Sequence, residues 1–148
     1  MKVFFDEDNG TGIPRALELV RPRGDNLLFP SNNPRSQVRK GTPDREWIPL
    51  VAELGCLVFS QNKLMLENDE ERGLLIEHGV GAVYLNNGNE NSFAVLRLLL
   101  NKWDWLRNVD ATVPRPFAFL VSVAGTTRQL NLRSDSPLRD PRPKRSQP

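Results

Sequence analysis

The chain has 148 residues, of which 39% are hydrophobic, so it can bury a core of its own and is expected to form one domain. A single cysteine, Cys56, excludes an internal disulfide and a zinc-finger-type site. No stretch approaches the roughly 18 apolar residues of a membrane span. No basic-then-apolar signal opens the chain either, so a cytoplasmic protein with no membrane partner is expected. The net charge of +2 is unevenly divided: Arg133–Pro148 carries +3 and the remainder −1, so total charge does not mark the body as a nucleic-acid binder.

Val3-Phe4-Phe5 runs directly into Asp6-Glu7-Asp8. Three apolar residues without alternation suit a strand buried on both faces. Acids just past it fall at the carboxyl edge of an open α/β sheet, where such folds place ligands. The alternative is a solvated loop. Asn9-Gly10-Thr11-Gly12 is a turn, and Ile13, Ala16, Leu17 and Val20 recur at helical spacing, with Pro14 in the first turn. Arg21-Pro22-Arg23-Gly24 ends that helix, and Leu27-Leu28-Phe29 is a short second strand. Pro30 to Gly41 has no apolar period and is predicted to be a long mobile loop. Its Arg35, Arg39 and Lys40, with Arg45 beyond, could hold an RNA backbone or simply keep the loop soluble.

Thr42-Pro43-Asp44-Arg45-Glu46 reads as a helix start, with Thr42 as cap and Pro43 in the first helical position. Asp44 stands three and four residues before Trp47 and Ile48, the first members of a stripe continued by Val51 and Leu54. It therefore projects from the buried side at the helix mouth, although a first-turn acid also serves the helix dipole alone. Gly55 ends the helix, and Cys56-Leu57-Val58-Phe59 is a third strand opening into Ser60-Gln61-Asn62-Lys63. A helix follows with polar Glu67, Asp69, Glu70, Glu71 and Arg72 and inward Leu74, Leu75 and Ile76. It closes at His78, read as structural or solvent-facing. Ala82–Leu85 is the fourth strand, and Asn86-Asn87-Gly88-Asn89 is a polar turn at the same edge. The longest helix spans about Asn91 to Arg107, with Phe93, Leu96, Leu100 and Trp103 as its apolar row, widened by Leu99 and Leu106. Leu98 and Trp105 are left to pack under the C-terminal segment or against a second copy in a homodimer. Pro116–Val123 and Thr126–Leu130 form a hairpin around Ala124-Gly125. The domain thus covers residues 1–131, and residues 132–148 form a disordered basic tail.

Three parallel strands end in Asp6-Glu7-Asp8, Ser60-Gln61-Asn62 and Asn86-Asn87, and one helix mouth offers Asp44. Mg²⁺ or Mn²⁺ takes one or two carboxylates together with water and substrate phosphate. Such an ion polarises a phosphodiester and acidifies an attacking water. The lone histidine and the lack of Gly-x-Ser-x-Gly or Gly-x-x-x-x-Gly-Lys leave triad and P-loop schemes without parts. Metal-assisted phosphodiester hydrolysis is the chemistry that the layout supports.

The order of these pieces resembles a known family. Phe-Phe-Asp-x-Asp, Thr-Pro-Asp-x-Glu-Trp at a helix start and Val-Phe-Ser-Gln-Asn-Lys at a strand end are similar to the PIN-like domains, over about Met1 to Leu130. The nearest branch is the VapC-type toxins of toxin–antitoxin systems. The resemblance implies a three-layer α/β fold, with a mostly parallel sheet flanked by helices and a C-terminal β-hairpin. It implies a Mg²⁺- or Mn²⁺-dependent endoribonuclease restrained by an antitoxin-like protein. Carried over by position, Asp6 and Asp44 are metal-binding acids. The third catalytic position, usually the acid of Thr-x-Asp, is Asn62, whose amide oxygen can ligate but brings no charge. Asp8 is the economical substitute ligand; Glu67 or Asp69 would have to reach in from the next helix. Two expectations follow: a nuclease weakened at Asn62, or a catalytically degenerate module that binds RNA or an antitoxin-like partner without cutting. A nucleotide- or phosphate-binding protein is a third, resting on fold alone.

Overall fold

The computed structural model describes residues 1–86 and 91–140. Its elements alternate as the sequence pattern requires: β1 (Lys2–Phe5), α1 (Gly12–Val20), β2 (Asn26–Leu28), α2 (Asp44–Glu53), β3 (Leu57–Ser60), α3 (Asp69–Glu77), β4 (Gly81–Leu85), α4 (Ser92–Thr112), β5 (Phe117–Val121) and β6 (Thr127–Leu130). Short 3-10 turns cover Glu7–Asn9 and Lys63–Glu67. One six-stranded sheet has the order β2-β1-β3-β4-β5-β6, parallel throughout except for β6. The chain goes outward from β1 through α1 to β2, then returns through α2 to β3. The strand order therefore reverses between β1 and β3, and open α/β sheets bind ligands beyond the carboxyl ends at such a point.

Side chains along a strand face alternate sides. Phe4, Val58 and Ala82 enter a layer with Trp47, Ile48 and Val51 of α2 and Leu75 of α3. Val3, Phe5, Leu57, Phe59, Val83 and Leu85 enter the opposite layer with Ile13 and Leu17 of α1 and the inner face of α4. Continued by two residues, the same alternation carries Asp6, Ser60 and Tyr84 to the α2/α3 side. Phe4 stacks on Trp47 with centroids 4.9 Å apart, which seats α2 against β1. A Cβ at Gly81 would lie 2.3 Å from the Phe117 ring, so the start of β4 admits only glycine beside β5.

Several expectations are corrected. Phe93 and Leu100 are 72% and 51% exposed, whereas Leu98 is buried, so the inner row of α4 is Val95, Leu98, Leu99, Trp103, Leu106 and Val109. Two apolar rows compete on this helix, and Asp25 bonds Trp103 Nε1 (2.8 Å) and Arg107 Nη1 (2.8 Å), which fixes its rotation. Trp105 lies edge-on to Phe119 at 5.4 Å. The helix also runs on to Thr112, beyond the expected end at Arg107. At α2 the capping position is Pro43 rather than Thr42, whose hydroxyl donates to the Arg39 carbonyl. Residues 30–41 contain no helix or strand, as expected, yet Val38 is buried and its carbonyl accepts from Ser31 N–H at 3.1 Å. Residues 132–140, assigned to the tail on composition, form turns in which Leu132 and Pro137 are buried. Residues 87–90 and 141–148, which hold part of the polar turn and the end of the tail, lie outside the described residues. Among the described residues no helix is long and apolar enough to cross a membrane.

Asp25 is a buried acid with a structural task. Arg107 grips both its oxygens and, with Trp103, holds its carboxyl well below the usual carboxylate range against the opposing effect of burial. The unfolded chain therefore takes up protons first as pH falls, and the stability that this pair supplies is lost on descending below about 4. Asp25→Asn is expected to cost about 1–3 kcal/mol at pH 7 and to flatten that acid slope. Urea unfolding at pH 7 and pH 3.5 checks it; an unchanged midpoint at pH 7 would contradict it.

Candidate active site

β1 delivers Asp6 to the reversal point as a buried side chain, 4% exposed. Asn9 Nδ2 donates to its carboxyl group at 2.9 Å, and the nearby Ser60 hydroxyl and Asp8 backbone N–H favour its ionised form. Asn9 is itself buried and donates also to the carbonyls of Asp6 (3.1 Å) and Phe59 (3.0 Å), while its Oδ1 accepts from Gln61 (3.2 Å). One amide thus ties the end of β1 to the end of β3. Ser60 accepts from Asn62 N–H at 3.0 Å, so Asn62 reaches Asp6 through its backbone and the serine.

Asp44 opens α2 and is half-buried; its Oδ1 accepts from Trp47 Nε1 at 2.7 Å. Glu71, in the first turn of α3, lies against it within hydrogen-bonding reach. The two helix mouths enclose a cavity of about 330 Å³ lined by Asp44, Arg45, Asn68, Glu70 and Glu71. Burial pushes the Asp6 carboxyl up to about 7; Ser60 opposes this, and the charges of Asp8 and Asp44 reinforce it. Burial also pushes Glu71 up to about 7, helped by its hydrogen bond to Asp44 and by the charges of Asp44, Glu70 and Asp8. Beneath them the Tyr84 hydroxyl is fully buried without a hydrogen-bond partner; burial, then the charges of Asp6, Glu71 and Asp44, drive its pKa upward. Among the described residues, no Lys, Arg or His forms an ion pair with Asp6, Asp8, Asp44 or Glu71.

Sequence reasoning reached only part of this arrangement. Asp6 and Asp44 do share one region, close enough for Asp44 to act electrostatically on Asp6. Asp8 is exposed on the 3-10 turn, its charge felt by both Asp6 and Glu71. Asp69, offered as a compensating ligand, pairs instead with Arg72 at 2.6 Å, and Glu67 is exposed. Of the basic residues, Arg45 lines the acidic cavity, and Arg39 and Lys40 precede Gly41, whose N–H donates to Glu7 beside the site. Arg35 lines a separate groove along β2 with Lys2 and Leu54. Lys63 Nζ donates to Asn86 at 3.0 Å and adds a base at the β3/β4 edge. Asn9, Glu71 and Tyr84 were not singled out. The available signals were Asn68-x-x-Glu71, a capping pattern, and the alternation that puts Tyr84 on the face of Asp6.

A family model described as PIN like domain matches residues 1–87, more than half of the chain. The chain belongs to this PIN-like family. Its α/β sheet with flanking helices agrees with the fold expected from the resemblance. PIN-like domains are generally associated with nucleases, and PIN domains typically depend on divalent metal. No curated protein and no solved structure matches the chain.

The donor chemistry suits a divalent cation: carboxylate, amide and hydroxyl oxygens are hard ligands, and Tyr84 leaves a buried hydroxyl unmet. Among the described residues no three His, Cys, Asp or Glu side chains form a ready cage. A hydrated Mg²⁺ does not need one, because one or two carboxylates and water complete its shell.

Burying Asp6 as an anion costs stability. Its native pKa of about 7 lies above the ordinary 3.8, so the folded state holds the proton longer, and stability falls as pH rises from about 4 to 7. In EDTA at pH 8, Asp6→Asn is expected to be more stable than the parent by on the order of 2 kcal/mol, with the gain gone at pH 4. Urea midpoints at the two pH values test this; equal gains at both would rule out ionisation as the cause.

Proposed function

We propose that this PIN-like protein is a metal-dependent endoribonuclease of the toxin type, held in check by an antitoxin-like protein. The observation that carries the reading is the placement of Asp44, which lines one cavity with Glu71 while its charge acts on the buried Asp6, with no base paired to any of the three among the described residues. Asp6 and Asp44 would hold Mg²⁺ or Mn²⁺, with Asp8 at the rim. When bound, such an ion neutralises charge on a phosphodiester and acidifies a water. Asn9 and Ser60 hold the Asp6 carboxyl in one orientation, and Asn9 locks the two strand ends at a fixed separation. Arg45, Arg39 and Lys40 border the site and suit the backbone of an RNA strand entering across α2. Arg35, on the β2 groove, is left out of that path.

Asn62 favours a second reading, a module that binds RNA or an antitoxin-like partner without cutting. It lacks the charge that the resemblance places there, and its role in the structure runs through backbone N–H rather than its side chain. Purified protein with Mn²⁺ and structured RNA separates the two. Cleavage that falls at least about 10²-fold in Asp6→Asn and in Asp44→Asn supports the nuclease. RNA bound but uncut by the parent, while an active relative cuts in parallel, supports the binding module.

A further inference from the structure

Glu71 sits where a helix acid normally has a structural duty. It is the third residue of α3 behind the capping Asn68, the position from which a glutamate reaches back to the cap's N–H. Half of that motif is present: Asn68 Oδ1 accepts from Glu71 N–H at 3.0 Å. The other half is pre-empted, because Asn68 N–H already donates to the Met65 carbonyl at 3.2 Å. Glu71 turns instead to Asp44. The adjacent base does not follow, since Arg72 is buried and donates to the Leu66 carbonyl (2.8 Å) and to Asp69. Two acids from different helices thus lie side by side in the lining of one cavity of about 330 Å³.

Tyr84 gives an independent sign that something else belongs there. Its hydroxyl, 0% exposed and unpartnered among the described residues, feels the charges of Asp6, Glu71 and Asp44 without bonding to any of them. A buried hydroxyl without a partner is costly, and native interiors rarely leave one.

Resting on the metal-site reading above, we propose that Glu71 and Asp44 share the divalent cation as a carboxylate pair. Glu71 thereby supplies the charge that Asn62 lacks, and a water of the ion's shell would meet the Tyr84 hydroxyl that no described protein group partners. The residues that would hold the cation then lie at the mouths of α2 and α3. Asn62 becomes dispensable for binding, and Glu71 does not.

Mn²⁺ titration by calorimetry, with free Mn²⁺ followed by electron paramagnetic resonance, tests this without reference to cleavage. Glu71→Gln is expected to weaken Mn²⁺ binding by about tenfold or more, the scale seen when groups around a metal are lost. Glu53→Gln, at the exposed far end of α2, and Asn62→Ala should leave it within about twofold, inside the context-dependent spread of a surface change. Glu71→Asp keeps the charge on a shorter arm and should fall between the parent and Glu71→Gln. Circular dichroism and melting in EDTA establish that each variant folds. If Glu71→Gln and Glu71→Asp bind as the parent does while Asp6→Asn does not, the role of Glu71 is overturned and the metal site stands. If the parent takes up no Mn²⁺, both fall.

Discussion

Like charges gathered in a partly buried hollow are the constraint around which this structure is built. The charge of Asp44 raises the proton affinity of both Asp6 and Glu71 on top of their burial, and no base is paired with these acids among the described residues. Such a cluster persists only because stronger forces hold its backbone in place. The strands beneath are buried on both faces, and each fully buried Phe or Leu there contributes about 1.5–3 kcal/mol. The mouths of α2 and α3 add positive dipole ends that make their first-turn acids tolerable. Asn9 then clamps the two strand ends from which the hollow opens.

Asp25 shows that burial alone does not produce this state. It is as buried as Asp6, yet Arg107 and Trp103 meet its oxygens, and its carboxyl is held low rather than high. One aspartate fastens α4 to the segment before β2; the other is kept short of counter-charge at a strand end. Two acids of one type, shifted in opposite directions by their neighbours, separate a structural part from a candidate working part. Opposite placements account for the difference: Asp25 precedes β2 at its amino end, and Asp6 follows β1 at the edge where open sheets take ligands.

Much of this was legible in the amino-acid order. Runs such as Val3-Phe4-Phe5 and Leu57-Val58-Phe59 are apolar on both faces, so strands and their parallel pairing could be read directly. Asp6 and Asp44 were reachable because one follows and the other opens an element whose inner face is unambiguous. What escaped depended on contacts between distant segments. The apolar rows of α4 interleave, and only the bond from Trp103 to Asp25, 78 positions away, chooses between them. Val38 looked like part of a polar loop because its core partners lie in other elements. Glu71 looked like an ordinary first-turn acid because the competing claim of Met65 on the Asn68 N–H is set by the preceding 3-10 turn.

The asparagine at position 62 reads differently once the hollow is seen as a whole. A carboxylate there would join a group in which Asp6 is already half-protonated near neutral pH and Glu71 likewise. Ser60, which accepts from the residue 62 N–H and favours ionised Asp6, would then have a second charge two residues along the chain. A neutral side chain avoids both costs and leaves the backbone link from Asn62 through Ser60 to Asp6 intact.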